Sequence, residues 1–548
     1  MSKSAYFNKE AQDALVDGIN LVANAVKTTL GYAGKTVVIQ QEEGKPVVIT
    51  KDGISVAKEI APKDEKVKLG ADLAISIAKR QLNNCGDGTT TATVIGQAIV
   101  NAGVRQLELS ENAINRTSLR RGIERARDYV VNRLDEMSTE ITDDKQLDNI
   151  ATVSANGDKK LGGIVAEAYR KVGKDGVVIV EETKDRDIRL EFKEGMTFDK
   201  GWTSQFFITN HENQTVEFDK PLVLLCNSKI SNFKSLADVI QNVLGRGQPL
   251  VIIAESFDTS VTQGLAMNIV RSGGQLKVAC VEAPSYGDAR LDRLRDMGLY
   301  LGANVGDDPM GIKFEAMSEA DFGSCDKIII KRDETIISGG HGNEADIKAR
   351  VEAIQGEINN LKENATWEKD VLNKRLAALT TGVAVIKVGG SSEEEIKELK
   401  DRLEDAQYAV KAALEEGYLP GGGVTLLRLA NEINNLETNN EDEGIGMIIL
   451  ATALKAPFKT IVENAGLHAD IIIPEILAKE KEYGYNVATM KVANMLEDGI
   501  IDPTKAVKGA VFAASSIASV ALTSSVIICE DPKKEAGVNL NMQGMPMM

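Results

Sequence analysis

Between Gly86 and Ala92 the chain reads Gly-Asp-Gly-Thr-Thr-Thr-Ala. Glycines permit close backbone approach, threonine hydroxyls and the unpaired N–H groups of a helix start can hold phosphate oxygens, and Asp87 can hold a magnesium ion. In outline that is a nucleoside triphosphate site. The same residues also make an ordinary turn with a threonine N-cap, and the local sequence does not choose between the two. Three further stretches carry similar residue types. Thr50-Lys51-Asp52-Gly53 is a second Asp-Gly turn, and Gly421 to Gly423 imply close backbone approach to something. In Asp502-Pro503-Thr504-Lys505, an aspartate N-cap with proline at the first helical position is a complete structural explanation. Asp405, off the apolar face of its helix, reads by itself as a solvated charge.

The elements that must position these residues follow from apolar spacing. Leu15, Ile19, Val22 and Val26 predict a helix from Asn8 to Leu30, stopped by Gly31. Thr36 to Ile39 and Val47 to Thr50 predict a hairpin through a Glu43-Gly44-Lys45 turn. Helices are expected on both sides of Gly86 to Thr91 and from Ala113 toward Leu134. From about Gly195 to Gly382 strands (222–225, 250–254, 277–281) alternate with helices (233–244, 260–271), a β-α-β pattern in which no GxGxxG follows a strand. Those two helices carry more apolar positions than one buried stripe needs, which suits either a helix pair packed on a sheet or an exposed groove for other chains. Val383 to Val388 reads as a strand. Ser392 to Glu416 reads as a helix with Ser391 or Ser392 as cap, and its apolar face includes Ile396, Leu403, Ala406 and Val410.

Composition bounds the function classes. At 548 residues the chain is long enough for about three domains, and with 4% aromatics its core must be aliphatic. A net charge of −17 argues against nucleic-acid or acidic-membrane partners. The five cysteines have no CxxC spacing and the three histidines lie far apart, which suits reduced thiols in a cytoplasm and leaves little material for a zinc site. Neither a signal peptide nor a run of ~18 apolar residues is expected. The tail from Ala536 to Met548 is expected to be disordered.

Taken together, Thr29-Leu30-Gly31, Thr50 to Gly53, Gly86 to Ala92, Glu404-Asp405-Ala406, Glu415-Glu416-Gly417, Gly421 to Gly423, Tyr483 to Asn486 and Asp502 to Lys505 resemble, in order and spacing, the group I chaperonins of the bacterial GroEL and mitochondrial type. The resemblance covers nearly the whole chain. It implies a multidomain α and α/β chaperonin fold: a helical equatorial domain from both ends (1–135 and 417–535), an intermediate domain from two segments (136–194 and 383–416), an apical domain between them (195–382) and a flexible tail (536–548). It implies an ATPase that works as a ring of identical subunits, sevenfold and single or double, capturing non-native protein clients with or without a co-chaperonin lid. ATP, Mg2+ and K+ are the implied cofactors.

By the same resemblance, Asp87 binds magnesium, and Leu30, Gly31, Tyr32, Gly88, Thr89, Thr90 and Thr91 surround the phosphates. Thr29, Lys51 and Thr90 lie near potassium, and Gly422, Asn486, Val487, Ala488 and Asp502 frame the adenine and ribose. Asp405 orients or activates the attacking water with help from Asp52, which is hydrolysis by positioning and charge neutralisation. The implied client surface is Trp202, Phe206, Phe207, Ala237, Ile240, Thr262, Ala266 and Met267.

Departures from the family pattern mark a divergent member. Tyr32-Ala33 replaces Pro-Lys beside the phosphate loop, and Thr262 and Ala237 replace usually apolar and usually larger residues. The stretch from Lys459 through Asn464 to His468 lacks the acidic pair of the ring-to-ring contact, and the Gly-Gly-Met tail repeat is missing. A ring that binds clients without productive encapsulation is the alternative use of this scaffold. An unrelated kinase is excluded by the absence of a Walker GxxxxGK[ST] and of a GxGxxG-to-lysine arrangement.

Overall fold

The computed structural model describes residues 3–40, 47–110, 113–155, 157–174, 176–183, 185–211, 213–361, 366–380 and 382–530. The expected turn at Glu43 to Lys45 and the expected disordered tail from Ala536 lie outside these residues. The chain divides into two compact units. One takes the chain up to Glu167 and from Val388 onward, with a short return at 184–187; the other takes 168–183 and 188–387.

The first unit is a stack of long helices. Asn8–Val26, Glu65–Cys85, Thr89–Leu109, Arg116–Met137, Glu441–Ala453 and Thr504–Thr523 share one core rich in Ala, Ile, Val and Leu. Small residues let their backbones approach closely. A Cβ on Gly122 would lie 2.0 Å from the Glu443 carbonyl oxygen, and one on Gly446 would lie 2.1 Å from that of Leu119. The chain ends are tied together as Lys3–Phe7 pairs antiparallel with Val526–Glu530. Two segments, Glu441–Asn464 and Thr504–Thr523, are long and apolar enough to cross a membrane, contrary to the sequence expectation. Both are mostly buried, and their hydropathy is that of core helices.

The second unit is built on a ten-stranded mixed sheet. Its order is Val177–Glu182, Gly382–Val388, Arg189–Phe198, Thr335–Gly340, Gly323–Ile330, Leu222–Cys226, Leu250–Ala254, Val278–Glu282; Val216–Asp219 pairs with Gly323–Ile330, and Val305–Gly306 with Leu222–Cys226. The three strands from Leu222 to Glu282 run parallel and are almost fully buried, which is why they read as continuous apolar runs. Gly195 and Gly382 come together in adjoining antiparallel strands, with Gly382 opposite Glu194. Because both strands are bonded into the sheet, the division between units falls beyond them, at 187/188 and 387/388.

Three local expectations change. The first helix ends at Val26, and Lys27–Thr29 tighten into a 3-10 turn before Gly31. The helix predicted from Phe233 opens as a 3-10 turn, Phe233–Leu236, before Ala237–Arg246. Asp502 is not an N-cap: it lies in the strand Ile501–Pro503, opposite Leu419, and the helix begins at Thr504 with no side-chain cap. An aspartate before proline suits a cap or a strand end equally, and pairing with Tyr418–Pro420 decides for the strand.

Candidate functional site

The site lies within the helical unit, where five loops and the helix that carries Asp405 contribute residues. Gly86 ends Glu65–Cys85 in the left-handed region (φ 73°), its N–H bonded to Leu82 O, and Gly88 (φ 79°) precedes Thr89–Leu109. Both turns need glycine. The open N–H groups of Thr89, Thr90 and Thr91 start a helix 21 residues long, whose dipole favours an anion at that end. Thr90 faces the second Asp-Gly turn, its Oγ1 2.1 Å from where a Cβ on Gly53 would sit. There Asp52 caps Gly53–Lys58, accepting from the N–H groups of Ile54 (3.3 Å) and Ser55 (2.9 Å).

Gly421 to Gly423 wrap Asp502. A Cβ on Gly421 would come within 2.9 Å of the Asp502 carboxylate, which accepts from the N–H groups of Gly422 and Gly423. Asn486 is buried; its Nδ2 donates to Asp498 (2.7 Å) and its Oδ1 accepts from the N–H of Ala488 (3.0 Å). It shapes the Asn486-Val487-Ala488 turn with a side chain already committed. Val487 is buried and Ala488 exposed. Thr29 Oγ1 donates to Val26 O (2.9 Å), Lys51 is half-buried, and Tyr32 is exposed.

Asp405 is where the structure departs most from the isolated reading. It is only partly exposed, and burial, then the charges of Asp87, Asp52, Asp401 and Glu404, push its carboxyl well above the usual carboxylate range. Asp87 is raised too, chiefly by burial and then by Asp52, against the pull of the Gly88 N–H. Burial and the Asp87 charge raise Asp502 to about 6, against the two glycine N–H groups. Three carboxyls from distant parts of the chain thus share one field with Asp52.

Residues the sequence reading missed hold this arrangement. Gln81, fully buried, donates through Nε2 to Asp87 O (2.6 Å) and Ala506 O (3.0 Å), tying the loop to Thr504–Thr523. Asn464, assigned above to the ring-to-ring stretch, donates to Lys27 O and Leu30 O (both 2.9 Å) and so fixes the Thr29 to Gly31 loop. Lys459 pairs within the chain with Asp470 (2.6 Å). The Asp405 helix, Glu393–Glu416, is capped by Ser392, and Lys505 and Lys508 clamp its far end through Glu415 (2.5 Å) and Glu416 (2.8 Å). The place of Gln81 at helical spacing from Ala74, Ile77, Ala78 and Cys85 was the available signal for it; nothing local distinguished Asn464.

This donor set fits a magnesium-bound polyphosphate. Among the described residues no three acidic, His or Cys side chains are grouped to hold a metal by themselves, so a cation here needs ligands from elsewhere. Magnesium is commonly held by one or two carboxylates together with substrate phosphate oxygens, and a helix start lined with glycines accepts such phosphates.

The model of the TCP-1/cpn60 chaperonin family matches residues 22–532. The chain belongs to that family. Among solved structures it is similar to the chaperonin gp146 from bacteriophage EL 2 (Pseudomonas aeruginosa), crystallised in the presence of ATP-BeFx. The two are 21% identical with a TM-score of 0.66, over 96% of this chain and 99% of that one. The match supports the chaperonin fold.

In this chaperonin the expected client residues divide. Phe207 (2% exposed), Ile240 and Ala266 lie in or against the sheet unit's own core and offer no side chain to a client as placed. Trp202 is half-buried, its Nε1 donating to Gln214 O (3.0 Å). Thr262 spends its hydroxyl proton on Thr259 O (3.1 Å), and Ala237 is exposed. Among the described residues of 202–207 and of the two helices, Phe206 (69% exposed), Met267 and Val270 (72% exposed) are the outward apolar set. Val270 was not among the expected client residues, although it belongs to the surplus of apolar positions on its helix.

Proposed function

We propose that this chain is an ATP-hydrolysing chaperonin subunit that works in a homo-oligomeric ring and binds non-native proteins through apolar side chains of its sheet unit. The observation that carries the ATPase reading is the convergence of Asp405 with Asp87, Asp52 and Asp502 at the glycine-lined start of Thr89–Leu109. Family membership supports it, as does the crystallisation of the similar phage chaperonin with ATP-BeFx.

In this mechanism Asp87 holds magnesium, and the N–H groups and hydroxyls of residues 88 to 91, with Leu30, Gly31 and Tyr32, take the phosphate oxygens. Magnesium, when bound, supplies charge neutralisation at the phosphates. Asp405, whose raised proton affinity suits a base, orients the attacking water and receives its proton, while Asp52 keeps its turn in place. Thr29, Lys51 and Thr90 are assigned to potassium; Thr29 gives its proton to Val26 O, which leaves its oxygen lone pairs for a cation. Gly422, Asn486 to Ala488 and Asp502 border the nucleoside.

Asp405→Ala is expected to lower ATP turnover by about 100-fold or more while ATP binding persists. Turnover equal to the parent would overturn this assignment. A second reading, client binding without productive encapsulation, is motivated by Thr262 and Ala237, which stand where the family has usually apolar and usually larger residues. Refolding of an aggregation-prone client with ATP, with and without a co-chaperonin, distinguishes them, since release of active client rejects the second.

A further inference from the structure

The Gly86 turn does more than reverse the chain. A Cβ built there would lie 2.2 Å from Cγ and 2.4 Å from Cδ1 of Tyr408, so the glycine backbone lies directly against the tyrosine ring. The left-handed φ of 73° alone accounts for a glycine. It does not account for an aromatic ring placed on it. Tyr408 stands three residues after Asp405, so both lie on the same side of Glu393–Glu416. One residue after the seat comes Asp87, whose charge acts on Asp405. The lysine clamps hold the helix only at its far end, at Glu415 and Glu416. Near Asp405, the Tyr408 ring bears directly on the Gly86 backbone of the loop.

We propose that Tyr408 is a positioning residue: its ring, seated on Gly86, fixes the depth of the Glu393–Glu416 helix and thereby places the Asp405 carboxyl opposite Asp87. This rests on the ATPase reading above. Gly86 is then a socket as well as a turn, and any larger residue there would expel the ring.

The test compares Y408A, Y408F, Y408L and D405A in the full chain. Misplacing a reacting group by about 1 Å can cost on the order of 100-fold in rate. Y408A is expected to lower kcat at least 10-fold with KM for ATP changed less than twofold, and Y408F, which keeps the ring, to restore kcat. Without nucleotide, amide hydrogen exchange around residues 403–412 should rise at least 10-fold in Y408A and stay at the parent rate in Y408F. Y408L fills the volume without a flat face and should lose kcat as Y408A does, which keeps the test available if Y408A does not fold. Parent kcat in Y408A or Y408L alongside an inactive D405A would overturn the inference and leave the ATPase reading standing. A Y408F defect as large as that of Y408A would also overturn it, because the hydroxyl would then be the active part. An active D405A would instead overturn the role given to Asp405, on which this inference rests.

Discussion

Replacing Asp502 with asparagine is expected to stabilise the nucleotide-free helical unit, and to do so only where the parent carboxyl is ionised. Burial and the Asp87 charge raise this group from an ordinary 3.8 to about 6. At about 1.4 kcal/mol per pKa unit the displacement amounts to about 3 kcal/mol. The direction follows from proton linkage. Below pH 3.8 the carboxyl is neutral in both folded and unfolded chains and costs nothing. Between 3.8 and about 6 the unfolded chain ionises first, so the parent loses stability as pH rises; above about 6 the full cost is present. Asparagine never ionises, and its Oδ1 can still accept from Gly422 or Gly423. The gain of Asp502→Asn over the parent should therefore grow from near zero at pH 4 to a plateau above about pH 6.5. For a unit of this size, 3 kcal/mol corresponds to a rise of about 5 °C in the thermal midpoint. The assay is thermal unfolding of both proteins from pH 4 to 8 without nucleotide. A shift independent of pH, or destabilisation at pH 7, would refute the reasoning, because the two glycine N–H groups would then outweigh burial and charge repulsion.

Two further changes test the packing and the apolar surface. Gly122→Ala puts a methyl 2.0 Å from the backbone oxygen of Glu443, which must move with its helix, so a loss of about 3 kcal/mol is expected by urea unfolding; parent stability would refute the close approach of Arg116–Met137 to Glu441–Ala453. Charging the outward apolar set with Met267→Asp and Val270→Asp should weaken capture of a denatured client at least 10-fold in a co-sedimentation assay while ATP turnover stays at the parent rate. Unchanged capture would place the client surface elsewhere.

Much of the fold was legible because its cause is local. Leu222–Cys226, Leu250–Ala254 and Val278–Glu282 were each recognisable from a buried apolar run, and Glu393–Glu416 from its apolar periodicity and serine cap. The errors arose where one local pattern suits two structures. Asp502-Pro503 serves a helix cap or a strand end, and Ile240 and Ala266 suit either a groove or a core until their neighbours are known. The site itself was legible mainly by its resemblance to a family.

By itself the sequence determined where most helices and strands form, that the core is aliphatic, and that Gly86 to Thr91 opens a helix through turns only glycine adopts readily. Backbone preference and side-chain periodicity act over a few residues, so these features are written locally. Tertiary structure decided which charges meet. Asp52, Asp87, Asp405 and Asp502 are ordinary aspartates along the chain, and they become a site only when packing withdraws water and brings their fields together. Electrostatic coupling depends on distance and burial, and neither is fixed until the helices that carry these residues have packed.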